Sequence, residues 1–385
     1  MHSTTTVQAP EASVAQPAPV KRLLSLDTLR GFDMFWIMGG EEIFHVLAKT
    51  TGAAWAIFLA EQFHHPDWNG FAPYDLIFPL FIFMAGVSTP FSIGSRLEKG
   101  ASRGELARKV ITRGLLLVLL GIIYNNGILA KSLADTRFPS VLGRIGLAGM
   151  FAQLIYIYSG QKAQYGWFGG LLVGYWLLMS FVPVPGCGAG VLTMECSFAG
   201  YVDRLLVPGH LYKDVHDPEG LMSTMPAICN ALLGIFAGNL LRTDGRTLSQ
   251  QQKTVQLIFA GFICLLIGMI WGVFFPINKN LWTSSFMLVT GGLSLLLLAI
   301  FYWIIDVKGV TGWTFFFTVI GMNSIMIYMS ESFIDFGYTA RELFGGILGF
   351  ISNEPVKAVA GVFAFLAVKW AFLYFMFKKK VFLRV

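Results

Sequence analysis

Long apolar runs, separated by short polar segments, recur along nearly the whole chain. These runs approach the roughly 20 residues that an α-helix needs to cross a bilayer. The pattern therefore predicts an all-α fold, a polytopic membrane helix bundle of about ten transmembrane helices. The predicted helices cover residues 27–46, 74–95, 106–126, 138–158, 165–183, 223–243, 254–275, 282–305, 312–334 and 355–377.

The composition supports a membrane protein. Of the 385 residues, 55% are hydrophobic and 13% are charged, whereas a soluble protein carries about 25% charged residues. In a membrane protein, the net charge of +6 is explained by basic residues in the cytoplasmic loops and does not indicate a nucleic-acid partner. We expect residues 22–385 to form a single transmembrane domain in the lipid bilayer, preceded by a disordered cytoplasmic tail at residues 1–21.

The basic residues indicate the orientation of the bundle. Most of the 28 Lys and Arg residues lie in alternate connecting segments, among them residues 96–113 and the last basic run at 378–384. Positive residues concentrate on the cytoplasmic side of a membrane. Both termini are therefore expected in the cytoplasm, and the loop after the first helix is expected on the outer face of the inner membrane.

A polar loop precedes the second predicted helix and reads HHPDWNGFAPYD from His64 to Asp75. It places a potential base, His65, ten residues before a carboxylate at the mouth of that helix. Such a pair can act as a base and its orienting partner, which makes His65 and Asp75 the candidate catalytic residues. The alternative is an interfacial loop, in which Trp68 anchors the membrane surface and the histidines are only solvated.

The first predicted helix carries charges where they are costly. Asp27, Arg30 and Glu41 share one stripe at 100° per residue. Ionisable groups inside a span are expensive unless they are paired or face water. Arg30 is either half of a structural clasp with Asp27 or a cofactor-binding residue, whereas Glu41, near the outer end, is a predicted substrate contact.

Two further polar residues lie inside predicted helices. Arg144 offers a planar fork for phosphate or carboxylate. Its alternative is an ion pair with a buried carboxylate such as Glu41 or Glu331. Asn323 is a second polar group inside a span. We expect Arg144 and Asn323 to contribute to cofactor binding, where either could stabilise a developing oxyanion.

Polar segments that precede later helices face the same side as His65. One contains Asn278 and Lys279, and another contains Asp217 and Glu219, which we expect to be acids that favour a helix N-terminus. Convergent polar segments are what a sugar site needs. The predicted substrate contacts are therefore Glu41, Trp68, Asn69, Asn278 and Lys279.

The four cysteines divide into two pairs. Cys229 and Cys264 lie in predicted spans and are typical of small apolar core residues. Cys187 and Cys196 lie in one outer loop, where an oxidising compartment favours a disulfide between them. The chain contains no phosphate-binding loop, zinc-protease His pair or nucleophile elbow.

Taken in order, several motifs resemble those of the heparan-α-glucosaminide N-acetyltransferases, in particular their bacterial relatives. The resemblance covers about residues 22–377. The matching motifs are SLDTLRG from Ser25, HPDWNG from His65, DLIFP from Asp75, the pair Arg137 and Arg144, PINKNLWT from Pro276, and GMN from Gly321.

The resemblance implies a membrane-bound acyltransferase. Such an enzyme takes an acetyl group from cytoplasmic acetyl-CoA, its cosubstrate, to an amino sugar or other glycan acceptor on the extracytoplasmic side, and no metal is expected. It also implies that His65 is catalytic, with Asp75 as its orienting partner. His65 would either deprotonate the acceptor or carry the acetyl group itself.

One departure from the family concerns the acceptor. The animal enzymes have an asparagine eleven residues after the arginine that matches Arg30, and this chain has Glu41 there. The acceptor and the choice between N- and O-acetylation therefore stay open, as does a homodimer. The alternative function is a secondary transporter or flippase for a sugar or glycolipid, which would use the buried charges as a substrate or proton site.

Overall fold

The structure is a computed structural model that describes residues 23–127 and 132–383. All elements named within these ranges are helical, which confirms the all-α prediction. The predicted tail at residues 1–21 lies outside the described residues. The α-helices are α1 (Leu24–Phe35), α2 (Glu42–Thr51), α3 (Ala54–Glu61), α4 (Ile77–Thr89), α5 (Ser95–Glu98), α6 (Arg103–Asn126), α7 (Val141–Tyr158), α8 (Gln161–Phe181), α9 (Phe198–Leu206), α10 (Thr224–Arg242), α11 (Gln250–Gly272), α12 (Ser284–Tyr302), α13 (Thr314–Met322), α14 (Ser324–Ser330), α15 (Phe336–Gly349) and α16 (Glu354–Lys378).

Short π-helical and 3₁₀ segments extend several of these helices. The 3₁₀ turn Pro73–Leu76 leads into α4, and π-helical segments occupy Trp36–Gly40, Pro90–Gly94 and Trp303–Val307. Gly39 breaks the first of these with a φ of 117°, a backbone conformation that favours glycine. The first predicted span is therefore two helices, α1 and α2, rather than one.

Each predicted apolar run corresponds to helical structure, and in the part of the chain that the structure describes, six helical stretches are long and apolar enough to cross a membrane. Of the other predicted spans, the first is broken at Gly39, and the one at 312–334 is broken between α13 and α14 at Asn323. The chain is thus a multi-pass membrane protein, while the total of about ten spans and the cytoplasmic termini remain predictions. The six stretches are Pro73–Glu98, Val141–Tyr158, Thr224–Arg242, Gln250–Gly272, Ser284–Val307 and Glu354–Lys378.

Helices α4 and α10 pack backbone against backbone in the core. A Cβ atom at Gly86 would lie 2.0 Å from the carbonyl oxygen of Ala231, and one at Gly234 would lie 2.0 Å from the carbonyl oxygen of Phe83. Contacts this short exclude any side chain, so glycine permits the close approach. The packing fixes α4 in place, and α4 follows the turn that contains Asp75.

Four connecting segments converge where α4 begins, and we call this the histidine end of the bundle. The Gly70 backbone N–H donates to the carbonyl oxygen of Ile277 at 2.8 Å. The Trp68 indole N–H donates to the carbonyl oxygen of Leu192 at 2.7 Å. These bonds tie loops that are far apart in sequence into one surface. The segments are residues 62–76, 132–140, 182–223 and 273–283.

The disulfide predicted between Cys187 and Cys196 is present in the structure. It closes the loop that carries Leu192, the partner of the Trp68 indole. Because Trp68 lies three residues after His65, the bridge supports the surface around that histidine.

Candidate active site

Asp75 lies in the 3₁₀ turn before α4 and is fully buried. Its Oδ2 accepts a hydrogen bond from the Ala72 backbone N–H at 2.8 Å. Its Oδ1 lies 2.6 Å from Nδ1 of His65. Since each oxygen has its own partner, the carboxylate is fixed by its turn while it orients the imidazole.

The His65 ring is oriented by Asp75 through Nδ1 and remains accessible. Its side chain is 44% exposed, and the ring stacks on Tyr74 with centroids 5.0 Å apart. With the Nδ1 proton donated to Asp75, the lone pair of the neutral ring is on Nε2. This is the arrangement that general-base catalysis requires.

Lys279 is the third member of this cluster. Its Nζ lies 2.7 Å from His65 Nε2 and 3.1 Å from His65 Nδ1, and 3.6 Å from Asp75 Oδ1. Burial lowers the pKa of Lys279, an effect that the charges of Asp75 and Glu219 partly oppose. The sequence predicted Lys279 as a substrate contact, and the structure places its amine directly against the histidine.

Three other predicted substrate contacts connect the loops at the histidine end. The buried Asn278 donates from Nδ2 to Oδ1 of Asn69 at 3.0 Å, and its own Oδ1 accepts from the Leu281 backbone N–H at 2.8 Å. Trp68, besides its bond to the disulfide loop, packs edge-on against His216. These contacts show a structural role for Trp68, Asn69 and Asn278, and their contact with substrate stays a prediction.

Glu41 lies behind the ring on which His65 stacks. The Tyr74 hydroxyl donates to Glu41 Oε1 at 3.4 Å. Within the described residues, Glu41 Oε2 is buried and has no hydrogen-bond partner. Tyr74 therefore contacts both Glu41 and His65. The predicted contact of Glu41 with substrate stays a prediction.

A buried ionic cluster at the histidine end was missed by the sequence analysis. Arg137 forms two bonds of 2.8 Å to the Asp217 carboxylate and one of 2.6 Å to Glu219 Oε2. Asp217 and Glu219 were expected to favour a helix N-terminus, and this is wrong, because neither lies in the first turn of α10. The partners are separated by 80 positions, so no local spacing could reveal the pair.

The pKa values of the two carboxylates in this cluster are shifted in opposite directions. Burial acts to raise the pKa of Asp217, but its bonds to Arg137 and to backbone N–H groups outweigh burial and hold that pKa below its usual value. For Glu219, burial dominates over the charges of Arg144 and Arg137, so its pKa is raised. Asp217 is therefore the permanent anion that pairs with Arg137.

Arg144 is buried at the histidine end. Its Nη2 donates to the carbonyl oxygen of Gly220 at 3.1 Å and also contacts the Ser223 hydroxyl. The guanidinium lies over the Trp282 ring, 4.8 Å from the centroid. Within the described residues, its Nε and Nη1 have no hydrogen-bond partner.

The alternative of an ion pair between Arg144 and Glu41 or Glu331 is wrong. Glu41 accepts from Tyr74 instead. Glu331 pairs instead with the buried Lys369 at 2.7 Å. A role of Arg144 in cofactor binding remains a prediction. Because Arg144 lies at the histidine end, it could contact only the part of a cofactor that reaches this end.

Arg30 and Asn323 lie elsewhere. Arg30 donates to the Ser88 hydroxyl at 3.1 Å and lies 3.5 Å from Asp27, so the expected clasp is present, and a role of Arg30 in cofactor binding stays a prediction beside it. Ser88 follows Asp75 by thirteen residues, a helical rise of about 20 Å. The predicted cofactor-binding residues are therefore not gathered in one place, since Arg144 is at the histidine end.

The Asn323 amide is already occupied. Its Nδ2 donates to the carbonyl oxygen of Val381 at 3.0 Å, and its Oδ1 accepts from the Leu383 backbone N–H at 3.2 Å. Asn323 thus fixes the chain after α16 in this structure. Its predicted contact with a cofactor would require these bonds to open.

Two cavities differ in size and in their distance from His65. A narrow apolar gap of about 40 Å³ lies beside the first turns of α4 and is lined by Met34, Phe78, Val141 and Tyr328, among others. A much larger groove of about 880 Å³ lies at the opposite end, between α7, α8, α10 and α11. The larger groove is remote from His65, and we assign no step of chemistry to it.

Comparison with known proteins gives two clear relatives, whereas no family model matches the chain. The human heparan-alpha-glucosaminide N-acetyltransferase is 29% identical over 428 aligned positions, which cover 94% of this chain and 60% of the human protein. The mouse protein of the same name is 31% identical over 331 positions, which cover 71% of this chain and 49% of the mouse protein. The chain thus spans about half to three fifths of the length of these relatives, and the two matches place it in the heparan-alpha-glucosaminide N-acetyltransferase family.

Proposed function

We propose that this protein is a membrane-bound acetyltransferase that moves the acetyl group of acetyl-CoA to an amine or hydroxyl of an amino sugar or related glycan. The observation that carries the proposal is the 2.6 Å contact between His65 Nδ1 and the buried Asp75 carboxylate. A neutral imidazole oriented in this way is a base at Nε2. The names of the two relatives indicate which acyl group is transferred and the class of acceptor.

The reaction starts when His65 Nε2 removes a proton from the acceptor. The acceptor nitrogen or oxygen attacks the thioester carbonyl carbon, the carbon–sulfur bond breaks, and the proton passes to the CoA sulfur. Asp75 stabilises the imidazolium that forms between these proton transfers. A route through an acetylated His65 uses the same Nε2 atom as the nucleophile.

The acceptor and the cosubstrate approach from opposite ends of the bundle in this proposal. The histidine end faces the extracytoplasmic side of the inner membrane and admits the sugar. Arg30 lies about 20 Å away along α4, and Arg113 is close enough to influence it electrostatically. Two such arginines at the cytoplasmic end suit the phosphates of CoA.

The thioester must then pass between the helices to reach His65. We propose that it passes through the narrow apolar gap beside the first turns of α4, which Phe78 and Tyr328 line. An apolar lining suits the uncharged arm of the cosubstrate and excludes water from the thioester. We propose that the gap widens when acetyl-CoA binds.

Release of free CoA thiol by the purified protein tests this function. The full chain in lipid nanodiscs is mixed with acetyl-CoA and, in turn, glucosamine, galactosamine and their N-acetylated forms. The proposal predicts thiol release that depends on the acceptor. Uptake of sugar into proteoliposomes without thiol release would instead support the transporter or flippase.

A further inference from the structure

Lys279 presents a primary amine to the base of the proposed reaction. Its Nζ lies 2.7 Å from His65 Nε2 and 3.6 Å from Asp75 Oδ1. We propose that Lys279 is a site of self-acetylation, where the lysine amine takes the acetyl group of acetyl-CoA when no acceptor occupies the site. This inference rests on the proposed function.

The amine of Lys279 occupies the position that an acceptor amine must take. A base removes a proton from a nucleophile that lies within about 2.6–3.2 Å, and Lys279 Nζ meets this condition against His65 Nε2. The lysine side chain and an amino sugar carry the same nucleophile, a primary amine on a saturated carbon. Lys279 and the acceptor therefore compete for one position.

The surroundings of Lys279 also favour a reactive amine. An amine attacks a carbonyl only in its neutral form, and burial lowers the pKa of Lys279. The groups that oppose this effect are the carboxylates of Asp75 and Glu219. The side chain is still 22% exposed, so a thioester can reach the amine.

The buried Lys369 has partners of a different kind. The Lys369 amine donates to Glu331 Oε1 and to the Met38 carbonyl oxygen, each at 2.7 Å. A carboxylate and an amide oxygen are much weaker bases than an imidazole. An imidazole is a stronger base, and it is the partner of Lys279.

Transfer of the acetyl group to Lys279 requires no reagent other than acetyl-CoA. His65 Nε2 takes a proton from the Lys279 amine, Nζ bonds to the thioester carbonyl carbon, and the carbon–sulfur bond breaks. His65 then delivers the proton to the CoA sulfur. The products are CoA thiol and an Nε-acetyl-lysine, an amide that does not pass its acetyl group on.

Modification at this position would limit the enzyme when acceptor is scarce. The acetylated side chain loses its charge and leaves an extra acetyl group beside His65 Nε2. Access of the acceptor to the base would be reduced. A saturating acceptor protects Lys279, because the acceptor then takes the position of the lysine amine.

Peptide mass spectrometry tests this proposal. The full chain in nanodiscs is incubated with ¹³C-labelled acetyl-CoA without acceptor, and acetylation is quantified at each lysine. We expect Lys279 to be labelled at least tenfold more than the exposed Lys49 and Lys213. His65→Gln is expected to reduce labelling of Lys279 at least tenfold, and saturating glucosamine to reduce it at least fivefold in the unchanged protein.

Several results would overturn the proposal. Equal labelling of Lys279, Lys49 and Lys213, or labelling that His65→Gln leaves unchanged, would show uncatalysed acetylation. If His65→Gln fails to fold, protection by glucosamine in the unchanged protein decides the question. Absence of label at Lys279 while glucosamine still drives thiol release would overturn self-acetylation alone, and absence of both would overturn the proposed function.

Discussion

Asp75 binds His65 through Oδ1 at 2.6 Å while its Oδ2 binds the backbone of its own turn at 2.8 Å. The carboxylate is fully buried, whereas the imidazole is 44% exposed. A buried anchor thus orients an accessible ring. The turn that supplies Asp75 leads directly into α4, which packs backbone against backbone on α10, so the orientation of the ring depends on the core.

Asp75→Asn keeps the size of this side chain but removes its charge. The amide still fits the turn, but it no longer stabilises an imidazolium or fixes the Nδ1–H tautomer. We expect kcat for thiol release to fall by about ten- to a hundredfold, with the thermal midpoint changed little. Asp67→Asn, in the same loop but exposed, is the matched control. Equal rates for both variants would contradict the role of Asp75.

Arg137→Ala removes the cation from a cluster in which Asp217 is fully buried. Loss of one partner of a buried ion pair costs about 3–5 kcal/mol. Because the Arg137 side chain is 19% exposed, we expect a smaller loss, about 2–3 kcal/mol, in the free energy of unfolding. Denaturation in detergent, followed by tryptophan fluorescence, measures it.

Asp217→Asn, combined with Arg137→Ala, tests why the loss of Arg137 lowers the free energy of unfolding. If the loss in Arg137→Ala comes from the charge left on Asp217, the double variant should recover part of the stability. Lys213→Ala, at an exposed position in the same segment, is the control and should have no effect. Additive losses in the double variant would contradict the ion-pair explanation.

His216 and Asp203 make opposite contributions to the pH dependence of stability. Burial lowers the pKa of His216 from 6.5 to about 4, so the unfolded chain binds an extra proton in this window and His216 costs stability as the pH falls. Burial raises the pKa of Asp203 from 3.8 to about 6, so the folded chain binds the extra proton and Asp203 adds stability as the pH falls.

Thermal midpoints at pH 6.5 and 4.5 separate these two effects. Relative to the unchanged protein, His216→Gln should gain stability on acidification and Asp203→Asn should lose it. Each change amounts to at most about 1.4 kcal/mol per pH unit. Parallel pH profiles for the three proteins would show that neither residue titrates in this window.

The disulfide between Cys187 and Cys196 is open to a direct chemical test. We expect alkylation of the unfolded, unreduced protein to label Cys229 and Cys264 alone, and reduction to expose the other two. Cys196→Ser should lower stability by about 2–3 kcal/mol in the chain-entropy model. Alkylation of all four cysteines without reduction would contradict the bridge and the oxidising side proposed for the histidine end.

The sequence predicted those features that depend on local pattern. Apolar runs of sufficient length fix the helices. His65 and Asp75 lie ten positions apart in one loop, so their contact could be anticipated. The same holds for Cys187 and Cys196, which lie nine positions apart.

Contacts between distant loops could not be anticipated in this way. Lys279 reaches His65 across 214 positions, and Arg137 reaches Asp217 across 80. Each contact depends on how the helices pack. The loop containing Lys279 was predicted to face the same side as His65, but a shared side does not determine which side chains meet.

Replacement of His65 tests the central claim most directly. His64 lies next to it in the same loop, is exposed, and contacts the His45 ring with centroids 4.8 Å apart. Acceptor-dependent thiol release is measured for His65→Ala and His64→Ala in nanodiscs, after both are shown to keep the thermal midpoint of the unchanged protein. We predict that His65→Ala lowers kcat by about 10²–10⁴-fold, the usual contribution of a positioned base, and that His64→Ala lowers it less than threefold. Turnover by folded His65→Ala at the unchanged rate would contradict the account.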